Sequence, residues 1–137
     1  MSTGPLAVRW GDLPRPDLEA GAVTPVSVTV ENVGTIRWRD GIRASYHWLD
    51  DRDNPIVWDG YRTPAPPLAP GESGTVSVRV RAPIPPGPYR LAFDLVAEGR
   101  AWFSELGSPM LARDVVVAER PGEPSAALPP GVEPAAD

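Results

Sequence analysis

The reactive side chains in this sequence set narrow limits on its chemistry. There is one histidine, His47, and no cysteine in 137 residues. A Ser-His-Asp or Cys-His site would have to use that histidine, and no Gly-x-Ser-x-Gly elbow is present to hold a serine nucleophile. One His without Cys also leaves structural zinc without ligands and rules out a disulfide framework. Alternation turns His47 away from Tyr46 and Trp48, so it reads as a surface, hydrogen-bonding residue. The acids offer more. Asp50, Asp51, Asp53 and Asn54 invite a calcium reading, but the run lacks the required glycine and Pro55 intervenes. A solvated hairpin tip accounts for it. Asp59, Asp94, Glu98 and Glu105 are candidates for a glycosidase-type carboxylate pair, though nothing in the sequence sets two of them the needed ~5–10 Å apart. Asp94 lies within an apolar strand; if buried it would need a partner such as Arg43 or Arg62, and otherwise it faces water.

Recognition by aromatic residues is the stronger possibility. The chain has five tryptophans, Trp10, Trp38, Trp48, Trp58 and Trp102, and each can bury about 150–250 Å². Trp38 and Trp48 fit inward positions and read as core. Trp58, Tyr61 and Trp102 lie beside turns and near polar residues. They are candidates for an exposed surface that stacks on sugar rings or anchors a protein partner. Ser104 and Glu105 end a strand next to a loop and would line the rim beside Trp102. These five, Trp58, Tyr61, Trp102, Ser104 and Glu105, are the expected ligand- or partner-binding residues. No catalytic residue, metal or cofactor is expected.

The elements that must position these residues are strands. Val76, Val78 and Val80 alternate with Ser77, Arg79 and Arg81, the period of a half-buried strand. Residues 82–88 hold four prolines and a glycine, which no helix interior or central strand accommodates. Tyr89, Leu91, Phe93 and Leu95 then alternate again. A tyrosine opening a strand after Pro-Gly-Pro occupies the place of the tyrosine corner of Ig-type sandwiches, whose hydroxyl ties back to nearby backbone. Residues 5–10 read as a first strand and 11–21 as a loop. Residues 24–32 form a strand with Val26, Val28 and Val30 inward, and 42–49 another with Ile42, Ala44, Tyr46 and Trp48 on one face. Residues 55–61 read as the returning strand, anchored by Ile56, Trp58 and Tyr61; 62–71 is a loop, 101–105 a short strand and 111–119 the closing strand. The count, about eight or nine short strands at spacings near 8–12 residues, indicates a sandwich or barrel. No helical period persists for three turns.

Composition agrees. The chain has 19 Pro and 13 Gly, yet 42% hydrophobic residues, which points to a turn-rich all-β domain with a real core. A net charge of −5 argues against nucleic acid as partner. No segment reads as a signal peptide and no apolar run approaches the ~20 residues that span a bilayer, so a soluble, by default cytoplasmic, chain without membrane insertion is expected. The expected organisation is a flexible residue 1–4 start, an Ig-like antiparallel β-sandwich over 5–119, and a disordered Pro/Ala-rich tail or linker over 120–137.

Three motifs then fall in order: Asn32-x-Gly34-x-x-x-Trp38 after a Val-alternating strand, Leu68-Ala-Pro-Gly-Glu72 before the second such strand, and Ala82-Pro83 with Pro86-Gly-Pro-Tyr89 before the strand ending Asp94-Leu95. Together they resemble the four-tryptophan Ig-like domain of selective-autophagy cargo receptors, also found in bacterial proteins beside catalytic domains. The match covers roughly residues 23–118. The SYHWLDD and WFSELG segments look more like a bacterial branch. The resemblance implies a non-enzymatic sandwich that binds a protein or glycan partner or spaces other domains. Two functions follow as expectations: a non-catalytic interaction or accessory module presenting an edge strand or aromatic-acidic patch, and, as the alternative, a carbohydrate-binding module built on Trp58, Tyr61 and Trp102.

Overall fold

A computed structural model describes residues 4–13 and 15–120, so the expectations for the extreme N-terminus and for 121–137 lie outside the described residues. Ten strands form two sheets: β1 (Val8–Trp10), β2 (Leu18–Glu19), β3 (Val23–Asn32), β4 (Ile42–Leu49), β5 (Pro55–Val57), β6 (Thr63–Pro64), β7 (Ser73–Arg81), β8 (Gly87–Ala97), β9 (Ala101–Trp102) and β10 (Leu111–Ala118). A 3-10 turn, η1 (Phe103–Leu106), follows β9. The small sheet has the order β1-β3-β7 and the large one β2-β10-β8-β4-β5, with β6 also on β4 and β9 on β8.

The valine ribbons pair as their alternation demands. Val26 stands opposite Val78 and Val28 opposite Val76, which puts both apolar sets on the inner face while Ser27, Thr29, Ser77 and Arg79 stay exposed. Against them β8 and β4 contribute Leu91, Phe93, Leu95, Tyr46 and Trp48. The Tyr89 hydroxyl donates to the Pro85 carbonyl at 2.6 Å, so the tyrosine corner is present, and its ring stands edge-on to Trp48.

Asn32 explains the first sequence motif. Fully buried, its amide donates to the Ile36 and Leu68 carbonyls and its oxygen accepts from Gly34 N–H. Gly34 lies so close to the Pro5 carbonyl that a side chain there would collide with backbone. Trp38, not in a strand, fills the space beneath this knot and meets Phe103 edge-on at 6.0 Å.

Several expected elements differ. The loop over 11–21 contains β2, which runs parallel to β10, so one pair of the sandwich is not antiparallel. The first edge is split: β1 pairs with β3 in one sheet, and after the break β2 joins the other. The returning strand over 55–61 is only three residues long. Ile56 is 48% exposed and does not anchor it. The expected loop over 62–71 contains β6, and the strand over 101–105 stops at Trp102, where η1 takes over. In each case only two or three residues pair, too few to leave a readable period.

Candidate functional site

The outer face of the large sheet is not bare. β8 is buried without interruption from Leu91 to Ala97, and β4 from Ala44 to Leu49. Antiparallel sheets with one solvated face alternate; here a cover made by Trp58 and the residues after it, and by Trp102 and η1, removes the alternation. Beneath that cover lies His47, which is fully buried rather than a surface histidine. The Trp58 ring stacks on it at 3.6 Å and 9°, and Trp102 meets it edge-on at 4.5 Å.

Asp94, 1% exposed, holds the centre of this cluster. Its Oδ2 accepts from His47 Nε2 at 3.0 Å and from the Ser104 hydroxyl at 2.6 Å. Its Oδ1 accepts from the backbone N–H groups of Leu95 at 2.9 Å and Ser104 at 3.2 Å. The partner of Asp94 is therefore His47, not Arg43 or Arg62; both arginines go to Glu98 instead. The other ring nitrogen, Nδ1 of His47, lies against the Trp58 carbonyl.

Ser, His and Asp are thus neighbours, but in an order unlike a nucleophilic triad. The serine hydroxyl bonds to the aspartate, and the two histidine nitrogens lie against the Trp58 carbonyl and Asp94 and not against the serine. Around the cluster, Arg62 packs over Trp102 at 5.2 Å and pairs with Asp59 at 2.8 Å and with Glu98. The Glu98 hydrogen bond holds the Arg62 pKa above its usual value, with Asp59 adding to the effect against desolvation. Glu105 is exposed and caps η1, accepting from Trp102 N–H at 3.0 Å.

The five expected binding residues therefore divide. Trp58, Trp102, Ser104 and Glu105 come together on this outer face. The Trp58 and Trp102 rings stand at 72° to each other, Trp102 is 9% exposed, and one face of Trp58 is taken by His47. They do not form a flat sugar platform. Gly60 explains how the covering segment lies so close: its N–H donates to the Tyr46 carbonyl, and a Cβ there would come within 2.6 Å of the Tyr46 ring.

Tyr61 lies elsewhere, at the β7 edge of the small sheet. There Tyr46 and Trp48 of β4 reach Arg81: the Tyr46 hydroxyl accepts from its N–H and Trp48 Nε1 donates to its carbonyl, both at 2.9 Å. β4 thus lies over β7, and Val57 of β5 and Tyr61 from the segment after it, both 38% exposed, reach the same groove. It has a volume of about 220 Å³ and is floored by Tyr46 and Trp48. Val57, Tyr61 and Ile84 form its rim, and Ile84 is 71% exposed. The Arg79 guanidinium sits 5.3 Å over the Tyr61 ring, and Arg81 Nη1 donates to the Tyr61 hydroxyl at 3.3 Å. Sequence reasoning did not single out Arg79, Arg81 or Ile84. The two arginines looked like the ordinary polar half of an alternating strand.

No family model and no curated protein matches the chain. Solved structures do match. They include β-glucosidase 3B from Thermotoga neapolitana in complex with glucose, at a TM-score of 0.53 and 18% identity over 83% of this chain. A β-glucosidase from Listeria innocua in complex with isofagomine matches at 0.51 and 18% over 82%. The alignments span 16% of each β-glucosidase chain. The CARDB domain of PF1109 from Pyrococcus furiosus matches at 0.50 and 17% identity, covering 88% of this chain and 100% of that one. At such identities the likeness is one of fold: this chain is an Ig-like β-sandwich.

Proposed function

We propose that the sandwich is a non-catalytic interaction or accessory module, and that it docks a protein partner along the open edge of its small sheet. The observation that carries this reading is the outward-turned main chain of β7. Arg81 turns both its N–H and its carbonyl away from β3, where Tyr46 and Trp48 take them. With a period of two, Thr75, Ser77 and Arg79 turn theirs the same way. Among the described residues no strand hydrogen-bonds to that edge, although β6 lies beside it, and such edges are templates for an added strand.

Two further points support it. The polar cluster beneath Trp58 spends its hydrogen bonds on itself, leaving no free base beside Ser104. The sandwich likeness to 16% of the β-glucosidase chains agrees with an accessory role beside other domains. Kinship with the four-tryptophan domains belongs to the same proposal; the Asn32–Gly34 knot over buried Trp38 supports it. The carbohydrate reading has weaker support, because the geometry leaves Trp58 with a single open face.

Ser77→Pro provides the test. Proline there removes an outward N–H and leaves the β3 ladder intact. Used as bait beside the wild-type chain, it should lose a protein that the wild type retains. Identical sets retained by both would overturn the docking edge.

A further inference from the structure

We infer that a second docking site lies at the end of the sandwich where the turn over 39–42 meets the turn over 97–100. It takes the C-terminal residue of a partner protein, an α-carboxylate carried beside a short apolar side chain. None of the residues that line it belongs to β7, so it does not rest on the docking edge.

The site is built by two turns tied to each other. The Ile42 N–H donates to the Arg39 carbonyl at 3.3 Å, and the Arg100 N–H to the Ala97 carbonyl at 2.9 Å. Gly41 at φ 94° and Gly99 at φ 77° supply a left-handed residue to each turn. The Glu98 N–H donates to the Gly41 carbonyl at 2.9 Å, which carries the β4–β8 pairing past Ile42 and Ala97. Arg39 and Arg100 are thereby held on neighbouring turns at the mouth of one pocket of about 140 Å³. Arg37 lines the same pocket, its Nη1 donating to the Pro67 carbonyl at 2.7 Å.

Charge supplies the first argument. The chain carries a net charge of −5, yet this pocket is basic. Its acids are Asp40 and Glu98, and Glu98 is already shared between Arg43 and Arg62. Asp40 is left to offset three guanidinium groups. Arg79 and Arg81 also meet no carboxylate among the described residues, but here three arginines converge on one pocket. Converging guanidinium groups match the paired oxygens of a carboxylate or a phosphate.

The floor decides between those anions. Leu6, Ile42 and Ala97 line the pocket and are buried, while Ile36, 43% exposed, stands at its rim. A phosphate brings nothing to cover apolar surface. A C-terminal leucine or valine carries its carboxylate and its apolar side chain on one Cα, so arginines and floor are met together. The volume admits one such side chain. A free acid of that size is held by little more than exposed ion pairs, which are weak in water; a protein terminus continues past the pocket and adds contacts over Ile36 and the turns.

The probe is an N-terminally blocked hexapeptide, Gly-Ser-Gly-Ser-Val-Leu, made with either a free carboxylate or a C-terminal amide. Binding to the full chain is followed at low salt through the amide resonances of Gly41 and Gly99 in isotope-labelled protein. The free acid should bind about tenfold or more tightly than the amide, and exchanging its last leucine for glycine should weaken it about tenfold. Arg39→Glu combined with Arg100→Glu should abolish the preference for the acid; both residues are exposed, and unchanged resonances in β3 and β7 verify the fold. Equal affinities for acid and amide, no binding by either, or a preference that survives in the double variant would overturn the site. Acetyl-leucine or inorganic phosphate binding as tightly as the peptide would overturn the protein terminus as its ligand. Ser77→Pro should leave this binding unchanged; its loss in that variant would move the peptide to β7 and overturn the placement here.

Discussion

On the outer face of the large sheet, Asp94, His47 and Ser104 find partners in one another. Along β7, the guanidinium groups of Arg79 and Arg81 meet the ring and hydroxyl of Tyr61 and, among the described residues, no carboxylate. Both regions hold aromatic residues beside charges, so composition does not distinguish them. What differs is enclosure. Trp58 and the residues after it, with Trp102 and η1, cover the first region, and burial there obliges every polar atom to find a partner, since an unpaired one costs far more than a hydrogen bond returns. The second region lies at an edge in water, where an unmatched guanidinium costs nothing. A covered polar cluster therefore fixes the fold, and an exposed one stays available for recognition.

The sharpest way to break this contrast is at Asp94. Asp94→Ala would strand His47 Nε2, the Ser104 hydroxyl and two backbone N–H groups in a buried site. A loss of about 3–5 kcal/mol in urea unfolding is expected. A loss below about 1 kcal/mol would show that water reaches the cluster and that the covering layer does not enclose it. Trp58→Ala should cost less, about 2 kcal/mol, because the ring is half-exposed and only one face stacks. Faster amide exchange should appear in residues 55–62 and leave β3 and β7 unchanged; uniform acceleration would place Trp58 in the main core instead.

At the other region the expectation is the reverse. Ser77→Pro and the Arg79→Glu, Arg81→Glu pair should shift stability by no more than about 1 kcal/mol, since they touch no buried group. A larger loss would assign the two arginines to the fold and remove them from recognition.

The smallest effect lies at the hairpin tip. Asp50 accepts from the backbone N–H groups of Asn54 and Arg52, which lower its pKa below the usual 3.8. A depressed carboxylate contributes stability above its unfolded pKa and loses it as pH falls through the folded value. The melting-temperature gap between wild type and Asp50→Ala should therefore be widest above pH 3.8 and close below it. A gap independent of pH would assign the ordering to Asp53, which holds the turn at φ 65°.

The amino-acid pattern alone determined the sandwich. Val26, Val28 and Val30 against Val76 and Val78, the Pro-Gly-Pro before Tyr89, and the glycine after Asn32 are local signals. A period of two, a fixed φ and a missing Cβ act within a few residues. Tertiary structure alone decided what lies over the outer face of the large sheet. His47 and Ser45 alternate like solvent-facing residues, and the segment after β5, with Trp58 and Gly60, together with Trp102, buries them. That cover and the meeting of Asp94 with Ser104 depend on residues distant in sequence. Periodicity reports which face of a strand a side chain occupies; whether that face meets water depends on what packs against it.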